Sequence, residues 1–251
     1  FREKTDLLPK PMITIGERPI LWHIMQIYSA AGFKNFVLAL GYKGNVIKDY
    51  FLNYHAMNSD VTVDLQNPDS LKFHRKNQTE DWKITLVNTG QESMTGARIA
   101  RAAQYLNGPE FMLTYGDGVA DINPADTLAF HRHHGKIGTV CGVHAPSRFG
   151  KLSINAESNV DHFTEKPMES SISDYINGGF FAFKREFLNY VSEDQSCILE
   201  RQPLENLAND LELMAYQHSG FWKCMDTFRD WSILNDLWNS GRAPWRKEMN
   251  F

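Results

Sequence analysis

Cysteine is scarce in this chain: Cys141, Cys197 and Cys224 are its only three, widely spaced and without a C-x-x-C pair. An odd, dispersed set argues against a disulfide framework and a thiolate metal site, and it fits a reducing cytoplasm. No apolar run approaches the roughly 18 residues that span a bilayer. The formal charge of −4 supplies no basic stripe for a nucleic-acid backbone. Neither a membrane nor a nucleic acid is therefore an expected partner. Repeats and low-complexity linkers are also missing, so residues 1–251 read as a single domain, with a polar irregular stretch at 68–81 as an exposed loop. The chain opens Phe1-Arg2 with no initiator methionine and no secretory leader, and the expectation is that its N-terminus lies upstream.

What is present is alternation. With 42% apolar and 12% aromatic residues, the chain has the material for a large core. Pro19, the apolar positions Ile20, Ile24, Ile27, Tyr28 and Ala31, and Gly32 as a stop predict an amphipathic helix. The unbroken apolar run after Asn35 predicts a strand covered on both faces, and the stretch from Asn45 predicts the next helix. Further strands are expected at 61–65, 83–88, 111–115, 137–143 and 175–183, with helices at 97–106 and 123–134, where Asn123-Pro124 is a cap and first-turn pair. This order predicts an α/β fold: a doubly wound, mostly parallel sheet with helices on both faces and a mostly helical part from Pro203 onward. In such sheets ligands sit beyond the carboxyl ends of the strands.

Several short patterns place reactive groups at such ends. Lys10 stands between Pro9 and Pro11, which predicts a stiff, extended loop holding the lysine. In Phe111 to Asp121 a strand runs into Gly116-Asp117-Gly118, which suits a carboxylate offered to Mg²⁺ beside a phosphate, the alternative being a plain turn. Asp226 likewise follows a short apolar run, and its alternative role is a helix N-cap. Ser93, Thr95 and the free amides of a helix start offer a polar ligand site that Arg98 could reach, or simply a capped helix. Lys166 abuts Pro167, and Asn177-Gly178-Gly179 interrupts a strand where a sugar could approach the backbone; turn chemistry explains each equally well. The trio His131, His133 and His134 lacks a further ligand at metal spacing and reads as a solvated helix face.

In collinear order, PKPM-x-x-IG-x-x-PILWHIM, GYKG, TG-x-x-SMTG-x-R, TYGDGVAD, EKP, INGGFF and GFW-x-x-MDT-x-RD resemble the sugar-phosphate nucleotidylyltransferases over nearly the whole chain. The resemblance implies a Rossmann-like nucleotidyltransferase core, Mg²⁺ as cofactor, and attack by a glucose 1-phosphate oxygen on the α-phosphorus of CTP in a cytoplasmic homo-oligomer. It further implies that Lys10 binds phosphate, that Ser93, Thr95, Arg98 and Gly116 meet the nucleotide, and that Asp117 and Asp226 share the metal. Glu165, Lys166, Asn177 and Gly178 are implied to meet the sugar phosphate. A uridylyl- or thymidylyltransferase would share every phosphate contact.

Both reactants are anions, so the catalytic need is for cations fixed in advance, which gives a stiff lysine its purpose. One departure stands out: the family's glycine-rich triphosphate loop and first sheet strand, expected just ahead of Phe1, are not in this sequence. Either they lie upstream, or this copy is a silent nucleotide-sugar-binding regulator.

Overall fold

The computed structural model describes residues 8–67, 70–74, 80–144, 151–154, 160–164 and 175–246. After a single 3₁₀ turn at Lys10–Met12, a short hairpin joins β1 (Thr14–Ile15) to β2 (Arg18–Pro19) and leads into helix α1 (Ile20–Ala30). Ile20, Ile24 and Ile27 are fully buried along one stripe of α1, and Gly32, at φ +92°, ends it as the sequence predicts. Next come β3 (Asn35–Leu40), α2 (Gly44–Leu52), the single turn α3 (Tyr54–Met57), and the exposed hairpin β4 (Val61–Val63) and β5 (Leu71–Phe73). β6 (Lys83–Asn88) then pairs in parallel with β3.

The second half follows helix α4 (Thr95–Ala102). It contains β7 (Glu110–Thr114), β8 (Gly118–Ala120), α5 (Pro124–His134), β9 (Gly138–Val143), the pair β10 (Lys151–Ile154) and β11 (Val160–Thr164), and β12 (Ile176–Lys184). Asn123 caps α5 by accepting from Ala125 N, as its sequence predicts. The C-terminal part holds α6 (Gln202–Asn209) and α7 (Phe228–Asn239), and between them β13 (Leu213–His218) and β14 (Trp222–Cys224), two strands that the helical reading of this region passes over.

The larger sheet has the order β13-β9-β12-β7. β13 lies parallel to β9, whereas β12 runs antiparallel to both its neighbours, so the α/β fold is doubly layered but its sheet is mixed at the centre. β12 can be central because it is apolar on both faces. Phe180 packs into the core built on Ile20, Ile24 and Ile27, while Phe181 and Phe183 point the other way, into a cluster with Ile99, Phe187 and Leu207. Each such ring contributes on the order of 1.5–3 kcal/mol on burial.

Between the β3–β6 pair and this sheet lies a cavity of about 1010 Å³, lined on one side by residues 35–40 of β3 and on the other by residues 110–116 at β7. Among the described residues, β3 pairs only with β6 and β7 only with β12, so two strand edges face this space.

The histidines of α5 correct the solvated-face reading. His131 is fully buried, and both His131 Nδ1 and His134 Nε2 lie within hydrogen-bond distance of Thr139 Oγ1 on β9, at 2.8 and 2.7 Å. Positions three apart share a helix face, and that face packs on the sheet; only His133 turns to solvent.

Candidate active site

The short pair β8–β14 builds the site. Its antiparallel register sets Cys224 opposite Gly118, and the ladder continues as Met225 N donates to Asp117 O at 2.8 Å. The residues just outside this ladder, Asp117 before β8 and Asp226 after β14, are therefore brought side by side although 109 positions separate them. Antiparallel pairing does this, in place of the common carboxyl edge of a parallel sheet.

Thr227, not Asp226, caps α7. The Thr227 hydroxyl accepts from Asp230 N at 3.1 Å, and Asp230 Oδ2 accepts from Thr227 N at 3.0 Å, a complete capping box. The capping role open to Asp226 in the sequence is thus taken by its neighbour. Asp230 also accepts from Lys223 Nζ at 2.6 Å in a pair that is largely buried. Burial pushes the Asp230 pKa up, but Lys223 and Thr227 outweigh it and the net shift is downward. The segment carrying Asp226 is pinned on both sides.

Lys10 closes the constellation. Its Nζ donates to Asp117 Oδ2 at 2.8 Å and to Asp226 Oδ1 at 2.5 Å. Burial alone would lower its pKa; the two carboxylates reverse this and raise it, so the ammonium is charged at neutral pH. Pro9 is extended, at φ −65° and ψ 144°, but Lys10 itself begins the 3₁₀ turn, closed by Met12 N donating to Pro9 O, and is not on an extended loop. Buried Met12 anchors the turn, and Pro11 lies against Gly116, where an added Cβ would stand 3.0 Å from Pro11 Cγ. Gly116 thus sets how closely the lysine turn approaches Asp117.

One nitrogen at 2.8 and 2.5 Å from oxygens of both carboxylates sets the two side chains close enough for both to be offered to a common Mg²⁺ with ~2.1 Å bonds once the ammonium moves away. Among the described residues no group of three or more His, Cys, Asp or Glu side chains is poised for a metal. Two carboxylates already bridged by one cation fit a Mg²⁺ that takes its remaining ligands from water and phosphate, not one caged by protein. Asp117 and Asp226 are the residues that could hold it. Asp226 Oδ2 meanwhile accepts from the Cys224 thiol, whose pKa burial and this carboxylate push up to about 12.

The nucleotide residues expected at the start of α4 divide. Ser93 is buried; its hydroxyl donates to Thr89 O and accepts from Arg101. Arg98 braces the same turn, donating to Thr89 Oγ1, Gly90 O and Gln91 O. Burial, with Arg101 nearby, lowers its pKa. The amides of Gly96 and Ala97 both donate to Cys197 O, so they are not the free donors that the helix start suggests. Tertiary packing against residues 195–199 uses these groups, and nothing local in the sequence signals it. Thr95 alone of this set is exposed.

On the sugar side, Asn177 Nδ2 donates to Tyr115 OH at 3.1 Å and its Oδ1 accepts from Gly179 N, while Gly178 O accepts from Trp222 Nε1 at 2.8 Å. A Cβ at Gly178 would meet Val143 and the Cys141 carbonyl, so only glycine allows this close approach to β9, where the register shifts between Asn177 and Phe181. Asn177 and Gly178 are thereby set beside Tyr115, two residues before Asp117. Glu165 and Lys166 lie outside the described residues. Tyr115 and Trp222 lie inside the quoted TYGDGVAD and GFW-x-x-MDT-x-RD stretches but carry no signal of this role, and Glu200 lies in no motif; only their hydrogen bonds to Thr95, Asn177 and Gly178 reveal them.

The family model for nucleotidyl transferases matches residues 4–231. A glucose-1-phosphate cytidylyltransferase of Salmonella typhimurium is 46% identical over 245 residues, 97% of this chain and 93% of the relative. Among solved structures, an apo UDP-glucose pyrophosphorylase superposes with a TM-score of 0.67 at 16% identity, covering 96% of this chain and 94% of its own. HddC from Yersinia pseudotuberculosis superposes with a TM-score of 0.64 at 18% identity, covering 92% and 90%. At such identities the two structures speak for the fold.

Proposed function

This chain belongs to the nucleotidyl transferase family, and from that premise we propose that it transfers a cytidylyl group from CTP to glucose 1-phosphate, giving CDP-glucose and pyrophosphate. The choice of base and sugar is supported by the 46% identity to a relative named for that activity. The single observation that carries the chemistry is the Lys10 ammonium set between Asp117 and Asp226.

In the proposed reaction a phosphate oxygen of glucose 1-phosphate bonds to the α-phosphorus of CTP, and the bond to the β-phosphate oxygen breaks, the electron pair leaving with pyrophosphate. The attacking oxygen is already ionised, so no residue need act as general base. The protein's task is to bring anions together in line and to compensate their charge. Lys10 answers this need: on nucleotide binding its ammonium exchanges carboxylate oxygens for phosphate oxygens and stays paired throughout. Asp117 and Asp226, released from Lys10, would hold Mg²⁺. Bound there, the ion would supply a template for phosphate oxygens and compensation of the charge that develops at the α-phosphate. Gly116 lets substrate and lysine turn approach the Asp117 backbone, Asn177 and Gly178 are assigned to the hexose, and Lys166 with Glu165 to its phosphate. Thr95 lines the cavity beside β7, with Tyr115 and Gly116.

The test is pyrophosphate release by the protein with CTP, UTP, dTTP, GTP and ATP against a panel of hexose 1-phosphates. Turnover fastest with CTP and glucose 1-phosphate is the expected outcome. Preference for UTP or dTTP reassigns the base and keeps the chemistry. Binding of CDP-glucose without turnover under any pairing would make the chain a nucleotide-sugar-binding regulator.

A further inference from the structure

Four side chains from four separate segments meet at one point, two residues along the chain from Asp117. Tyr115, at the end of β7, donates its hydroxyl to Glu200 Oε1 at 2.5 Å. Thr95, at the start of α4, donates to Glu200 Oε2 at 2.7 Å, and Asn177, on β12, donates to Tyr115 OH at 3.1 Å. The network is anchored from behind, since Leu199 N donates to Thr95 Oγ1 at 2.9 Å and Leu199 is buried. Tyr115 in turn stacks over Gly179, where an added Cβ would strike its ring. Burial and the Glu200 carboxylate both push the Tyr115 pKa up, and the charge of Asp117 adds to this.

Glu200 is the unusual member. Its carboxylate is exposed, and among the described residues it forms no ion pair. A carboxylate offers about four acceptor positions. One on each oxygen is filled by a hydroxyl, which fixes the group's plane and leaves one on each oxygen open. A fixed, negative, acceptor-only group cannot face the phosphates of either substrate, because phosphate oxygens have no proton to give and carry the same charge. Within a substrate it is suited to a neutral, donor-rich part, and the hexose assigned to neighbouring Asn177 is one. Two adjacent hydroxyls of a hexose match two acceptor positions on one carboxylate, and hydrogen bonds to a charged group are the strong kind.

We propose that Glu200 is a sugar-binding residue, accepting hydrogen bonds from two neighbouring hydroxyls of the hexose 1-phosphate, with Tyr115 and Thr95 as the residues that position it. This rests on the proposed function, and it adds to that reading a specificity determinant for vicinal diols at the sugar end of the cleft. Discrimination should be large, because a sugar lacking one hydroxyl leaves an oriented carboxylate position unpaired.

The experiment compares the whole protein with Glu200→Gln and Tyr115→Phe, using glucose 1-phosphate and its monodeoxy analogues. It measures KM for sugar and for CTP, affinity for CDP-glucose by calorimetry, and the melting temperature. Glu200→Gln is expected to raise the sugar KM about 10- to 100-fold, the scale of losing charge-assisted hydrogen bonds, with the CTP KM unmoved. The analogue lacking the bonded hydroxyl should lose as much with the natural enzyme and little more with the variant. Tyr115→Phe should give a smaller rise of the same kind. A rise in the CTP KM alone would move Glu200 to the base and overturn the proposal. A lower melting temperature with both KM values changed, and deoxy analogues penalised equally in both proteins, would make it a brace and overturn it too. If no pairing turns over, the proposed function fails on its own; the calorimetric comparison still decides Glu200, because equal affinity of both proteins for CDP-glucose overturns the assignment.

Discussion

Lys10 Nζ stands 2.5 Å from Asp226 Oδ1, a contact between residues 216 positions apart that joins the two ends of the chain across the site. The lysine occupies a cation position between two carboxylates, so it and a divalent ion compete for the same oxygens. Removing the ammonium should therefore enhance metal binding in the absence of nucleotide. Lys10→Met is expected to lower kcat about 10²-fold or more, the scale of one preorganised charge. In the same variant, Mg²⁺ should raise the melting temperature by several degrees, and by less in the natural protein. A calorimetric melt with and without Mg²⁺ reads this without any turnover, and equal shifts in both proteins would remove Lys10 from the cation position.

Asp117→Asn and Asp226→Asn are each expected to abolish most turnover. The double variant should be little worse than either, because groups that act as a unit are not additive. Stability should change by no more than about 1 kcal/mol, since the ion pairs they form with Lys10 are partly exposed. Steady-state rates and urea unfolding of the three variants check both statements. Additive losses would mean that the two carboxylates act separately.

Stability should fall as pH drops from about 6.5 towards 4. His23 is 1% exposed, and its pKa is lowered from 6.5 to about 4, chiefly by burial. His131 is fully buried and is lowered to about 4 by burial and by the nearby His134. A depressed histidine pKa means that the unfolded chain takes up the proton first, so the stability present above 6.5 is lost as pH falls through this window. Each group can account for about 3 kcal/mol if its full shift is realised. His23→Gln keeps a donor for Ile15 O, the partner of His23 Nε2, and should flatten the pH dependence of urea unfolding by roughly half.

Gly16→Ala should destabilise by about 2 kcal/mol or more. Gly16 sits at φ +60° in the turn between β1 and β2, and a Cβ there would overlap the Trp238 ring of α7. Trp238 also packs edge-on against His23 at 4.4 Å between ring centres, so the damage reaches the core beneath the lysine turn. Equilibrium unfolding in urea measures it, and an unchanged midpoint would show that the hairpin can shift to make room.

The sequence by itself determined what depends on neighbours along the chain. The stripe of α1 and its Gly32 stop, the strand at 83–88, and the Asn123 cap of α5 are all encoded within a turn or two, by periodicity, φ preference and side-chain capping. It also marked Lys10 and Asp117, because two prolines and two glycines are local signals. Tertiary structure alone decided the pairing. The antiparallel course of β12 and the β8–β14 ladder are contacts between distant segments, and a strand's apolar run looks the same whichever direction its partner runs. The roles of individual polar groups followed from that pairing. Thr227 and not Asp226 became the cap once Lys10 and Cys224 claimed both oxygens of Asp226. Ser93 and Arg98 turned inward because the segment at 195–199 folds over the start of α4. Tyr115 and Glu200, separated by 85 positions and with no local signal linking them, came together because a polar group's partner is fixed only when the chain has closed around it.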